Sequence, residues 1–169
     1  MLKAAINYED KLNKKLAEKA ISGGCLGLGM MGYNSLTKKL KTDTWQNIQY
    51  VSVAGKKVLG YINLIRLNPG NRIDNIIIIG FAVSAAENIT FGRDCYDAIK
   101  KAFKIFNVDS IHWTCLVGSD VEKHYDSFCK QAGGRIVGIK KRAGVDERND
   151  YRDIKIYEIM KEDFKGGTK

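Results

Sequence analysis

Ile76-Ile77-Ile78-Ile79-Gly80-Phe81-Ala82-Val83 is an unbroken apolar run, followed by a polar stretch at 84–93 and an amphipathic pattern from Asp94 onward. Apolar residues without alternation, bounded by turn chemistry, predict a strand covered on both faces. The pattern from Asp94 places Cys95, Ile99, Ala102, Phe103 and Phe106 on one helix face, and Asp94 suits the N-cap position. A buried strand that feeds a helix through a glycine-bearing turn is a place for a phosphate. The first-turn amides lack partners there, and the helix dipole favours negative charge.

Working outward from that stretch, two strand patterns precede it, at 48–54 and 58–67, joined by a tight turn at Gly55-Lys56. Asn68-Pro69-Gly70-Asn71 is a turn signal between the second strand and the central one. A further strand is expected at 110–117. A strand, a helix and a strand in succession imply a parallel pair with a right-handed crossover. A second helix is expected over 119–132, with Ser119 and Glu122 in capping-box spacing. Its inward face would carry Val121, His124, Tyr125, Phe128, Cys129 and Ala132, and Gly133-Gly134 would end it. Two closing strands follow, at 135–141 and 154–160. Near the N-terminus, 8–21 has helical periodicity and Gly23-Gly24 stops it. The stretch 25–33 reads either as a strand start or as an apolar loop, and 36–45 as a short helical or irregular segment. The order α-β-β-β-α-β-α-β-β predicts one α/β domain over 1–169, a mixed sheet with helices on both faces.

The apolar fraction of 44% is that of a globular chain with a real core. No run reaches the ~18 apolar residues of a membrane span, and the N-terminal pattern has no apolar signal region. Cys25, Cys95, Cys115 and Cys129 show no CxxC spacing, which reads as free thiols in a reducing cytoplasm. The net charge of +9 suits an anionic partner such as a polyphosphate cofactor, nucleic acid or an acidic protein. The denser patches, Lys38-Lys39-Leu40-Lys41 and Lys140-Lys141-Arg142, are equally readable as solvated faces.

This order of elements resembles the GNAT superfamily of N-acetyltransferases, over about residues 46–164. Three pieces carry the likeness: strand–turn–helix at 76–106, strand–helix–glycine at 111–134, and an ending in which Arg135-Ile136-Val137-Gly138, after Gly133-Gly134, precedes 150–153 and the strand Ile156-Tyr157-Glu158-Ile159. The family's turn reads Gln/Arg-x-x-Gly-x-Gly/Ala. The best register here is 89–94, in which Gly92 fits and Asp94 stands where a small residue is usual.

The resemblance implies an acetyl-CoA-dependent N-acetyltransferase, in which an amine attacks the thioester directly. The acceptor would be a small-molecule or protein amine, and the protein a monomer or homodimer. Main-chain amides of Phe81, Ala82 and Val83 would then bind the pantetheine and the thioester oxygen. Phe91, Gly92, Arg93 and Asp94 would surround the pyrophosphate, with Arg93 adding charge. Tyr125 is the candidate general acid, one turn before Cys129 on the same face; it reads equally as a rim aromatic. Glu87 is either a general base or a solvated turn carboxylate. Cys129 reads as a structural thiol, and His112 and His124 as structural histidines that make a poor metal set. The glycine-rich stretch 23–32 and the charged loop 142–152 either shape the acceptor site or simply connect. Two other readings are a basic nucleic-acid-associated protein and a GNAT relative that binds coenzyme A without turnover.

Overall fold

The computed structural model describes residues 1–21, 46–67, 70–146 and 149–166. Gly23-Gly24, the stretches 25–33 and 36–45, the Lys38–Lys41 patch and the Asn68-Pro69 half of the turn lie outside the described residues. Strand β1 (Leu2–Ala4) and a single 3-10 turn (Ala5–Tyr8) lead into helix α1 (Glu9–Ile21). β2 (Asn47–Ala54) and β3 (Lys57–Ile65) form the expected hairpin, with Gly55 at φ +57° in its turn. A short β4 (Arg72–Ile73) precedes β5 (Asn75–Gly80), which holds the first five residues of the apolar run, and is followed by α2 (Ala85–Ile105), β6 (Ser110–Leu116), α3 (Glu122–Ala132), β7 (Arg135–Val145) and β8 (Tyr151–Met160). β1 was not anticipated from the sequence; it is three residues long and pairs antiparallel with β2.

Two four-stranded sheets result, in the orders β1-β2-β3-β5 and β4-β6-β8-β7. The central line of chain changes partner at Asp74. Before it, Arg72 and Ile73 pair in parallel with Ser110 and Ile111; after it, Asn75 to Gly80 pair antiparallel with β3. Asp74 holds this switch in place: its amide donates to the Ile65 carbonyl (2.8 Å), and its carboxylate accepts from the Leu67 amide and from Arg72 Nε (2.7 Å each). A parallel pair is therefore present, but it is two residues long and is made by Arg72 and Ile73 upstream of the apolar run; the run itself, in β5, pairs with β3 and parts from β6.

Both faces of β5 are covered, as its unbroken apolar run predicts. Ile77 and Ile79 pack with Leu12, Leu16, Val51, Val53 and Tyr61 beneath α1. Ile76, and Ile78 in part, join the larger core under α2 and α3, which is built on Ile99, Phe103, Ile111, Trp113, Tyr157 and Ile159. Each such side chain contributes about 1.5–3 kcal/mol on burial.

Two helix starts differ from expectation. Helix α2 begins nine residues before Asp94, at Ala85, with Ser84 as its N-cap. Helix α3 begins without a side-chain cap bond; Glu122 accepts from the Gly118 amide (2.7 Å), while Ser119 Oγ is buried with no partner. The left-handed Gly133 (φ +85°) ends α3 as predicted. His124 lies on the exposed side of α3, off the inward face assigned to it.

Candidate active site

The site is built from backbone before side chains. The Phe81 amide donates to the Leu59 carbonyl (2.8 Å). That bond makes Phe81–Leu59, Ile79–Tyr61 and Ile77–Asn63 the hydrogen-bonded pairs of the β3–β5 ladder, since bonded and non-bonded pairs alternate. Ile76, Ile78 and Gly80 therefore turn their N–H and C=O groups away from β3. The same reasoning applies to β6. Val117 N to Asp153 O and Lys161 N to Asp109 O (2.9 Å each) fix the register with β8, which leaves the backbone groups of His112, Thr114 and Leu116 turned away from it. Beyond the short parallel contact, the two strand edges thus turn backbone groups toward a common gap; on β5 the Ile76 amide is taken by Asn75 Oδ1 (3.0 Å) and the Gly80 carbonyl by Lys19 Nζ (3.1 Å).

Tyr125 reaches that cleft from α3. The half-buried ring meets Trp113 and Tyr157 edge-on, at centroid distances of 6.4 and 6.2 Å, and its hydroxyl meets the Ile78 backbone. Trp113 stacks on Tyr157 at 5.0 Å, and Tyr157 in turn donates to Asp126 Oδ1 (2.8 Å), so the aromatic cluster is held from below. Burial pushes the Tyr125 hydroxyl above the ordinary tyrosine range; Cys115 and Cys95 add to this, and the Ile78 backbone acts against it. The hydroxyl is a proton donor at neutral pH. The buried Trp113 indole N–H has no hydrogen-bond partner among the described residues.

The residues expected to form the phosphate turn stand elsewhere. Phe91, Gly92, Arg93 and Asp94 all lie inside α2, where their amides belong to the helical ladder, so the expected turn at 88–93 does not exist. The cause is tertiary. Gly60 and Gly80 face each other across β3 and β5, and the Phe91 ring fills the notch between them. Asp94 is buried, accepts from Ser52 Oγ at 2.5 Å and lies 2.9 Å from the Met1 ammonium. Arg93 is exposed. The helix N-terminus sits instead at Ser84, whose Oγ accepts from the Glu87 amide (3.3 Å). The amides of Ala85 and Ala86 have no partner within the helix.

Of the strand-end amides, Phe81 is committed to Leu59 and Val83 donates to Glu87 Oε2 (2.9 Å), so these two are corrected as ligand donors. Glu87 is a capping carboxylate: it also takes Lys57 Nζ at 2.5 Å, and the Lys57 hydrogen bond, then the Val83 amide, hold it below the usual carboxylate range. A general base needs a higher affinity for protons than that. The pairing was legible in the spacing Ser84-x-x-Glu87, which is that of a capping box.

Cys129 is buried and its thiol is pushed up to about 11 by burial, with Asp126 adding to it, so it stays protonated and inert. His112 lies 3.0 Å from Ser110 Oγ and 3.7 Å from Glu158, which Arg135 also engages through two nitrogens. Among the described residues no group of three His, Cys, Asp or Glu side chains is placed to hold a metal, and no helix is long and apolar enough to cross a membrane.

No protein-family model and no curated protein matches the sequence. Solved structures do match. The ribosomal-protein alpha-N-acetyltransferase RimL in complex with coenzyme A superposes with a TM-score of 0.75 at 11% identity, over 94% of this chain and 92% of that one. Spermidine N-acetyltransferase from Vibrio cholerae, in complex with coenzyme A and spermine, gives 0.66 at 16% identity over 96% of each chain. A probable GNAT-family acetyltransferase from Chromobacterium violaceum gives 0.58 at 18% identity over 71% of this chain, which spans 62% of the other protein's length. At such identities the likeness is one of backbone, and it agrees with the parting of β5 from β6: the fold of this chain is that of the GNAT N-acetyltransferases.

Proposed function

We propose that this protein is an acetyl-CoA-dependent N-acetyltransferase acting on a primary amine. One observation carries the reading: β5 and β6 part beyond Asp74, and the Tyr125 hydroxyl meets the Ile78 backbone at that parting. The Gly80 amide and the Ile76 and Ile78 carbonyls, which turn away from β3, suit the amide groups of a pantetheine arm; the Ile76 amide is already held by Asn75 Oδ1 and the Gly80 carbonyl by Lys19 Nζ. The unpartnered Trp113 N–H is a donor that such a ligand can satisfy. The Ala85 and Ala86 amides, at the positive end of a 21-residue helix, suit a pyrophosphate.

The chemistry then follows from position. An acceptor amine, freed of its proton, attacks the thioester carbonyl. Edge amides of β5 stabilise the oxyanion, which is a preorganised main-chain role. The carbon–sulfur bond breaks, and Tyr125 donates its proton to the departing thiolate. Both strands are committed to their outer partners, so the cleft geometry costs no reorganisation during reaction. The neighbours act on spermidine and on a ribosomal protein; the acceptor here is taken to be an amine of one of those two broad classes, small polyamine-like or polypeptide.

A second reading has its own support. Glu87 already places a carboxylate at the α2 N-terminus, and the glycine turn is absorbed into the helix. Both features weaken a phosphate site and suit a coenzyme A binder without turnover. One experiment separates the two. Acetyl-CoA is titrated in against the melting temperature, and thiol release is then followed with a panel of polyamines and peptides. A melting shift with thiol release supports the transferase; a shift with no release on any amine supports the silent binder. No shift at millimolar acetyl-CoA refutes both.

A further inference from the structure

Lys19 places an amine inside the same cleft. Helix α1 buries Leu12 and Leu16 against the sheet on the face opposite α2 and α3. Lys19 follows Leu16 by three residues and Leu12 by seven, so it continues that inward stripe to the helix end. Its Nζ donates to the Gly80 carbonyl at 3.1 Å. By the alternation derived above, that carbonyl lies on the free edge of β5, two residues from the Ile78 backbone that Tyr125 meets.

We propose that Lys19 is an internal acceptor, and that this protein acetylates its own Lys19 Nζ. The inference rests on the transferase reading given above. Two residues of strand span about 7 Å, which is room for one acyl thioester between the amine and the phenol. Lys19 arrives from the α1 face and Tyr125 from the α3 face, so the amine can add to the thioester carbonyl from one side while the phenol reaches the departing sulfur from the other. The step balances. The Lys19 ammonium gives one proton to water, and the neutral amine forms a C–N bond to the acetyl carbonyl carbon. The C–S bond breaks and the thiolate takes the Tyr125 proton. The second amine proton restores Tyr125 through solvent, giving acetyl-lysine, free coenzyme A and one released proton. Acetylation removes the charge from Lys19 and adds bulk beside the Gly80 carbonyl, so it would also slow turnover on external amines.

The test uses the full chain with acetyl-CoA and no other amine, and peptide mapping that reads each lysine against time. Lys19 is expected to be acetylated at least about tenfold faster than the exposed Lys11 and Lys14 of the same helix, because the reaction within the protein has a high effective concentration. Its rate constant should not change over a tenfold dilution of protein. Tyr125→Phe should remove the Lys19 advantage and leave the slow chemical acetylation of Lys11 and Lys14 as it was. Lys19→Arg keeps a donor for Gly80, which checks that the loss of the modified peptide is not a loss of fold. Equal rates at Lys19 and Lys14, or a Lys19 rate constant that rises with protein concentration, overturn the proposal. If that happens while acetyl-CoA still raises the melting temperature and external amines still release thiol, the internal acceptor alone is refuted. If binding and thiol release are both absent, the transferase reading fails, and the internal acceptor with it.

Discussion

Substituting Gly60 tests the contact that sets where α2 begins. A Cβ at Gly60 would lie 2.1, 2.4 and 2.6 Å from Cε2, Cζ and Cδ2 of Phe91. Carbon contacts settle near 3.5–4.0 Å, so the ring must retreat by roughly 1.5 Å. Its other edge already occupies the space that the missing Gly80 Cβ leaves, 3.2 Å from where that atom would stand, so any retreat is toward the Gly80 backbone. Overpacking of this kind costs about 1–3 kcal/mol, or about 2–12 °C in melting temperature for a chain of this size. Gly60 has no positive φ, so alanine is conformationally allowed and the ring alone forbids it. Phe91→Ala by itself should cost about 3–5 kcal/mol. In that background Gly60→Ala should become neutral or slightly stabilising, since alanine is favoured over glycine in a strand by about 0.5–1 kcal/mol. Urea denaturation of the four proteins of this double-mutant cycle therefore predicts a coupling of about 1–4 kcal/mol. Additivity within about 0.5 kcal/mol would show that the ring does not occupy the notch, and the account of the displaced helix start would be wrong.

Tyr125→Phe should lower kcat/KM at least about a hundredfold in a thiol-release assay while moving the melting temperature little, since the ring contacts remain; an unchanged rate would remove the tyrosine from the mechanism. Ser84→Ala deletes the α2 cap and should cost about 1 kcal/mol, or about 2–4 °C by calorimetry. Stability should also fall on the acid side. Glu87, Glu122 and Asp153 are each held below their ordinary values, chiefly by hydrogen bonds from Lys57, Lys155 and Lys141 respectively. Their folded values lie below their unfolded ones. That stabilisation is complete above the ordinary carboxylate range and is lost as pH drops through the folded values, below about 4. Melting curves from pH 7 to pH 3 should show a smaller acid loss in Glu122→Gln than in the parent, and an equal loss would remove Glu122 from this account.

The misplaced α2 start shows where local reading stops. Ile89, Thr90 and Gly92 are weak helix formers, and glycine inside a helix costs about 1 kcal/mol. Read locally, 88–93 is a turn. Burying the Phe91 ring returns about 1.5–3 kcal/mol, but only once Gly60 from β3 is opposite it, a contact 31 positions away in the chain. The capping pair Ser84 and Glu87 was readable from spacing alone, and it marks the true helix start. The inward face of α3 was readable too, because Tyr125, Cys129 and Ala132 recur at the helical period; His124 falls outside that stripe and is exposed.

Apart from the short β1 and β4, the order of strands and helices, the double-faced burial of Ile76–Ile79, and the glycine stop after α3 were determined by the sequence, because periodicity and turn chemistry act within a few residues of each other. The partner switch at Asp74, the unpaired edges of β5 and β6, and the meeting of Tyr125 and Lys19 at Ile78 and Gly80 were decided only by the tertiary structure. They depend on strand register, which fixes the side to which each backbone N–H and C=O turns, and register is set by contacts between segments that the chain itself keeps far apart.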